Sequence, residues 1–280
     1  MASKHSLSPI KLREAFSGVV FSLWSNRRLV SQLVRRDFES RFKGSALGML
    51  WVVLNPLMLL LVYTFVFSQV FKARWSVELD SPVSFALILF AGLIAFNVFA
   101  ENLNAAPRLM LNHVSYIKKV VFPLEILPWV SLLSSLITAL ISCFLLFLFY
   151  TFLLGIPSLT VLYVPLIAVP LCLTTLGVVW FVASLGVFLR DLQHAVGICV
   201  TVLLFLSPIF YPLSAVPDFM RKIVMLNPLT AVVEMLRGAI FFNAAPSLAM
   251  LGWAFLLSWC VAAGGFWWFM RIKKGFADVV

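Results

Sequence analysis

Between Glu125 and Arg190 the chain has no Asp, Glu, Lys or Arg, so residues 126–189 form one neutral, largely apolar run. A helix crosses a bilayer with about 20 apolar residues. The run is too long for a single crossing, and "GIPS" (Gly155–Ser158) divides it into two helices, roughly 123–154 and 161–189. The rest of the chain is built from the same material: 62% of its residues are hydrophobic and only 11% are charged. A soluble domain is about a quarter charged. So few charges cannot cover a water-facing surface, so the main solvent must be lipid. The fold expected is an all-α membrane protein forming one bundle of spans.

Six spans fit the pattern. Residues 44–71 are uncharged and place the first span near Ala46–Phe71, and residues 81–100 supply the second. Spans three and four divide the long run, span five begins near His194, and span six covers about Leu248–Met270. An even number of spans puts both termini on one side. With the N-terminus inside, sixteen Lys and Arg flank the inner side and five the outer, which makes both ends cytoplasmic. The expected divisions are a cytoplasmic segment with an interface helix over 1–45, a permease domain over 46–270 and a tail over 271–280.

Several function classes are disfavoured. The formal charge of +10 comes from basic residues clustered between apolar runs, where lipid headgroups and cytoplasmic partners meet them, not from an arginine-rich nucleic-acid array. Cys143, Cys172, Cys199 and Cys260 lie apart inside apolar runs, and His5, His113 and His194 are equally isolated. Neither a disulfide framework nor a metal site fits that spacing. There is no G-x-x-x-x-G-K-[ST] with which to bind ATP. The acids inside spans that an ion-coupled carrier needs are absent, and so is the His/Asp constellation of a membrane transferase.

The charged stretch before the first span, "VRRDFESRFKGSALGMLW" (Val34–Trp51), reads as a helix. Val30, Val34, Phe38 and Phe42 form an apolar stripe, and Arg35–Glu39, Asp37–Arg41 and Glu39–Lys43 are i,i+4 pairs. Such a helix lies in the cytoplasmic interface with its stripe toward acyl chains, either as a stop-transfer flank or as a docking surface presenting Arg35, Arg36, Asp37, Glu39, Arg41 and Lys43. Gly44 and Gly48 then make a turn or a close helix packing. Asn55-Pro56 kinks span one. In the loop after span two, "NHVSYIKKVVFPLEILP" (Asn112–Pro128) has room for a short helix, and Glu125 is expected at the interface, paired to a lysine. Arg190 and Asp191 are expected to pin the end of span four by pairing with other segments.

The segment "SPIFYPLSAVPDFMRKIVMLNPLTAVVEMLRGAIFF" (Ser207–Phe242) cannot be one helix, because Pro208, Pro212 and Pro217 interrupt it. Asn227 is placed to cap a helix with Pro228 at its first position. Leu229, Val232, Val233, Leu236 and Ile240 would form its apolar face, with Glu234 and Arg237 opposite. Two short helices dipping into the outer leaflet, as a lid over an exit, fit better than a solvated loop. Tyr63 and Phe67 in span one, with Phe205, Phe210 and Tyr211 in span five, can line a passage, since aromatic faces stack on sugar C–H surfaces.

Five segments, "LVRRDFESRFKGSALGMLWVVLNPL", "KKVVFPLEILP", "FLRDL", "SPIFYPLSAVP" and "LNPLTAVVEMLRGAIF", carry a resemblance. In order and spacing the chain resembles the membrane subunits of type-2 ATP-binding-cassette exporters of the polysaccharide branch, most closely the O-antigen (lipopolysaccharide) exporter permeases. The resemblance implies a homodimer with two copies of a separate P-loop ATPase that carries the ATP and Mg, and no cofactor in this chain. The cargo would be a lipid-linked polysaccharide crossing the bacterial inner membrane; capsular polysaccharide, teichoic acid or a small hydrophobic compound is the alternative. The charged helix would contact the ATPase, and Val114, Ser115, Tyr116, Lys118 and Lys119 would form the coupling loop. Trp51, Asn55, Tyr63, Phe67, Phe205, Phe210 and Tyr211 would belong to the channel wall. Pro208, Pro212, Pro217, Asn227, Pro228, Glu234 and Arg237 would form the exofacial gate.

Overall fold

A computed structural model describes residues 12–66, 82–117 and 122–279, and among them there are helices, turns and no strand. The chain order is α1 (Leu12–Ser25), α2 (Arg27–Phe42), α3 (Trp51–Thr64), α4 (Pro82–Leu109), α5 (Val114–Ile117) and α6 (Leu127–Leu154). There follow α7 (Val164–Gly186), α8 (Leu192–Leu206), α9 (Asp218–Leu226), α10 (Pro228–Phe241), α11 (Leu248–Ile272) and α12 (Phe276–Val279).

The long neutral run breaks where its turn residues require it. Gly155 ends α6 with φ +93°, a conformation costly for any residue with a Cβ. Beyond it, the Ser158 hydroxyl accepts from the Thr160 amide at 3.2 Å and starts the turn leading into α7. Proline near the first position opens α6, α7 and α10, where the missing N–H costs nothing.

Helix α7 is the centre of the bundle, with α4 and α11 packed along it. The three run in parallel and α6 runs back beside α4. Two sites of backbone contact hold this group together. A Cβ on Gly177 would stand 2.3 Å from the Val261 carbonyl oxygen, and one on Gly265 only 2.0 Å from that of Gly177. Gly186 meets the Pro107 carbonyl in the same way, at 2.2 Å. Trp180, fully buried, stacks edge-on against Trp129 and Phe266 and donates its indole N–H to the Glu125 carbonyl at 3.0 Å. Helices α3 and α8 are held more thinly. Helix α3 buries Val52, Pro56 and Leu60, and α8 buries Val196 and Val200, while Met58, Leu61, Phe65, Ile198, Val202 and Phe205 face outward.

Four segments are long and apolar enough to cross a membrane: Val83–Leu109, Leu124–Leu154, Leu159–Gly186 and Leu248–Gly275. Helices α9 and α10 pass that test jointly but bend by 96° at Asn227, giving up to five. Helices α3 and α8 are apolar yet shorter than a full crossing over the described residues. The second span runs well past the expected boundary at Ala100. Helix α4 continues through Glu101 and Arg108 because both side chains find polar partners beside it.

At the N-terminus, α1 is a helix that no expectation covered. Its buried Ala15, Val19 and Ser22 face α11, and Gly18 lies against the Phe266 ring. The N-terminal part of the apolar stripe of α2 is covered by protein, with Leu33 and Val34 packed beside Val30. Val30 packs with Ile126 and Val130 at the start of α6, which gives it a fully dry contact. Gly44 and Gly48, with φ of +88° and +51° and nothing near their Cβ positions, make a turn and no close packing.

Candidate functional site

At the end of the bundle that carries α2, α5 and α12, a cleft of about 480 Å³ opens between α2, the last turns of α4 and the first turn of α6. Arg36, Asp37 and Arg41 line one side, and Arg108, Ser115 and Tyr116 another. Two segments expected to act together, far apart in sequence, thus share one cavity. Lys118 and Lys119, the other expected coupling-loop residues, lie outside the described residues. Val114 begins α5 and is half-buried. Tyr116 is stacked between His113 and Phe122, at 5.5 and 4.3 Å between ring centres, which stiffens the short turn.

The charges on α2 are ordered along its exposed face. Arg35 Nε donates to Glu39 at 2.8 Å, and this hydrogen bond, with the carboxylate charge, holds the guanidinium above its ordinary pKa. Arg41 lies 3.4 Å from Asp37 and 3.3 Å from Glu101, so it bridges α2 and α4. The expected Glu39–Lys43 pair does not form. Glu39 is taken by Arg35, and Lys43 lies beyond the last turn of α2 in extended backbone. Glu125 does pair with a lysine: Lys273, at the end of α11, at 2.5 Å. Arg190 and Asp191 are exposed and make no ion pair among the described residues, so they pin nothing to another segment there.

The opposite end of the bundle holds the interrupted segment. The Asn227 carboxamide oxygen accepts from the Leu229 amide at 3.0 Å, and its Nδ2 donates to the Ser207 hydroxyl at 2.8 Å. One side chain therefore caps α10 and ties it to the end of α8. Arg237 departs from the expected arrangement. Instead of facing away from the apolar stripe it is 1% exposed and points into the bundle. Its Nε donates to the Ile88 carbonyl at 3.2 Å, its Nη2 to Ile209 at 2.7 Å and its Nη1 to Pro208. Glu234, one turn back, lies 3.5 Å away. The proline-broken segment leaves the Pro208 and Ile209 carbonyls outside a helix, and the guanidinium fork supplies a donor to each and a third to Ile88 of α4. Gly92 leaves the space: a Cβ there would stand 2.6 Å from Nη2.

Of the expected wall residues, Phe205, Phe210 and Tyr211 come together. The first two stack at 5.9 Å, and the Tyr211 hydroxyl donates to the Phe205 carbonyl at 2.8 Å. Phe205 and Tyr211 line an apolar cavity of about 590 Å³ shared with Pro217. Trp51, Asn55 and Tyr63 are elsewhere, on α3, which packs against α4 and α6, whereas α8 packs against α4 and α7. Phe67 lies outside the described residues. Pro212 starts the 3-10 turn over Leu213–Ala215, and Pro228 opens α10. The sequence reading missed Glu101 and Arg108. Their spacing from Asn97 and Asn104, one helical face at intervals of four, three and four, was the available signal.

A bundle of apolar helices of crossing length, with a charged cleft at one end and a proline-broken pair of helices at the other, is the make-up of an integral membrane protein. Residues 28–241 match the ABC-2 type transporter family, and the chain belongs to it. It is similar to an O-antigen export system permease protein of Myxococcus xanthus, 28% identical over 88% of this chain and 94% of the relative. A Klebsiella pneumoniae protein of the same description is 25% identical over 90% and 95%. A polysialic acid transport protein of Escherichia coli is 25% identical over 75% and 80%.

Proposed function

We propose that this chain is the channel-forming subunit of an ATP-driven exporter that moves a lipid-linked polysaccharide of the O-antigen type across the bacterial inner membrane. The reading is carried by the cleft in which Arg36 and Arg41 of α2 meet Ser115 and Tyr116 of the turn after α4. A surface made of an exposed charged helix and a stiff apolar turn suits a protein partner. In an ABC-2 transporter that partner is a separate P-loop ATPase, which binds the ATP and Mg and leaves this chain without a cofactor. The cleft end is then cytoplasmic, with both termini there, and the chain divides into a segment 1–45, a six-span domain 46–270 and a tail 271–280. Two copies pair through the thinly held α3 and α8, whose outward apolar faces support that arrangement. Trp51, Asn55, Tyr63 and Phe67 then approach Phe205, Phe210 and Tyr211 around one path, with α9 and α10 as its outer gate. The E. coli relative supports a second reading, export of a capsular glycan by the same machinery.

In the source bacterium, deleting the partner ATPase is expected to leave glycan assembled inside and absent from the surface, read by surface antibody or lectin staining. Surface display that persists in that strain overturns the assignment. The docking role is tested with Arg35→Glu and Arg36→Glu, which spare Arg41 and its bond to Glu101. Like charges facing each other cost several kcal/mol, so co-purification of the ATPase is expected to fall by about tenfold or more. Recovery at the wild-type ratio removes α2 from the interface.

A further inference from the structure

Helix α4 carries Asn97, Glu101, Asn104 and Arg108, and antiparallel α6 carries Ser131, Ser135, Thr138 and Ser142. Both sets follow intervals of four, three and four, so each lies on one helical face. The two faces meet. Asn97, Glu101, Thr138 and Ser142 line a cavity of about 110 Å³, closed on its third side by Asn55 of α3. Asn104, Arg108 and Ser131 continue the same polar track into the larger cleft, and the Arg41–Glu101 ion pair stands between the two spaces.

The track is open along one side: Asn55, Asn97, Glu101 and Asn104 are exposed and Thr138 is half-buried. At ~1.5 Å per residue Asn97 stands roughly 18 Å from the Leu109 end of α4 and about 6 Å beyond Glu101, so the track leads from the charged cleft into the apolar part of the helix. Ser135 and Ser142 are satisfied by carbonyls of their own helix, and Ser135 also accepts from Asn102 at 2.7 Å. The side chains of Asn55, Asn97, Asn104 and Thr138 have no hydrogen-bond partner among the described residues. Open, unpaired amides along an apolar span suit a polar occupant or a water-filled space rather than lipid.

We propose that the groove between Asn55, Asn97 and Thr138 is a sugar subsite that receives a hydroxyl-rich ring of the glycolipid cargo; it rests on the exporter reading. Neutral amides and a hydroxyl offer donors and acceptors together, as a sugar ring requires, and Glu101 adds an acceptor for paired hydroxyls. Pro56, Leu59 and Phe90 supply apolar walls for the ring's C–H faces. Water alone would satisfy the amides but has no use for those walls. Because Arg41 holds Glu101, the helix with the docking charges is tied to one wall of the subsite.

The test uses the full chain in lipid nanodiscs, with its four native cysteines replaced and single cysteines placed by Asn97→Cys or Thr138→Cys. Each is reacted with a charged methanethiosulfonate reagent, beside a water-exposed reference (Ser40→Cys) and a reference on the outer apolar surface of α6 (Leu140→Cys). Both groove cysteines are expected to react within about tenfold of the Ser40 site. Dodecyl maltoside, at ten times its half-protecting concentration and below its micelle concentration, is expected to slow them about tenfold. Dodecylphosphocholine, which has the same tail and no sugar, is expected to leave the rate unchanged. Reaction as slow as at the Leu140 site overturns the proposal, as does absence of maltoside protection or equal protection by both amphiphiles. The assay needs neither ATP nor transport, so lost protection bears on the subsite alone. Surface glycan persisting without the ATPase bears on the exporter reading alone.

Discussion

Arg237→Met is expected to destabilise the protein by about 3–5 kcal/mol, the usual cost of removing one member of a buried, hydrogen-bonded charge group. Methionine fills most of the same space, so the loss is electrostatic. The carbonyls of Ile88, Pro208 and Ile209 lose their donors and Glu234 loses its nearby positive charge. The Pro208 and Ile209 carbonyls, which lie outside a helix, each carry a penalty of about 1–3 kcal/mol when left without a donor, which accounts for the total without any cavity term. Arg237→Lys keeps the charge but cannot aim three donors along one planar fork, so it is expected to recover only part of the loss. The measurement is an unfolding curve of the purified chain in lipid. An unchanged midpoint for Arg237→Met would mean that the proline-broken segment is held by Asn227 and Ser207 alone. Gly92→Ala is an independent probe from the neighbouring helix: it displaces Nη2 without touching Arg237 chemically, and the same curve should move in the same direction.

The second large effect is expected at the α7–α11 seam. A methyl group on Gly177 or Gly265 meets backbone at 2.3 and 2.0 Å, and backbone cannot rotate aside as a side chain can. The helices must separate by roughly 1 Å or more, which loosens contacts along their whole length. Gly177→Ala and Gly265→Ala are each expected to cost about 1–3 kcal/mol or more. Because they act on one contact, the double variant should cost less than the sum. Gly264→Ala is the control, in the same helix with nothing near its Cβ position. It should be neutral or stabilising by up to about 1 kcal/mol, since alanine favours helix over glycine. Equal losses at Gly264 and Gly265 would show that helix propensity, and not the close approach, governs this seam.

The features readable in advance were those whose cause lies within a few residues. Gly155 and Ser158 end and restart helices by local backbone and capping chemistry, and Asn227-Pro228 begins α10 for the same reason. Arg35–Glu39 and Asp37–Arg41 are one turn apart and form as spacing predicts. Arg237 could not be read this way, because its partners at Ile88 and Pro208 are distant in the chain and only the fold assembles them. Helix α4 was cut short at Glu101 because a charge was taken as the membrane boundary. A long helix can carry charges past that boundary when a neighbour such as Arg41 meets them. The protein cover over Val30, at the start of the α2 stripe, was equally hidden, because an apolar face does not announce whether protein or acyl chain will cover it.

The bundle is unequally stiff. Helices α4, α7 and α11 touch backbone to backbone at Gly177, Gly186 and Gly265, where even a methyl group has no room. Any relative sliding there meets repulsion at once, so these three act as a keel. Helices α3 and α8 rest on a few buried side chains each, and a rigid-body tilt of either breaks little. The cheapest deformation of this chain is a swing of those two panels about the keel, and a passage wide enough for cargo would open there first.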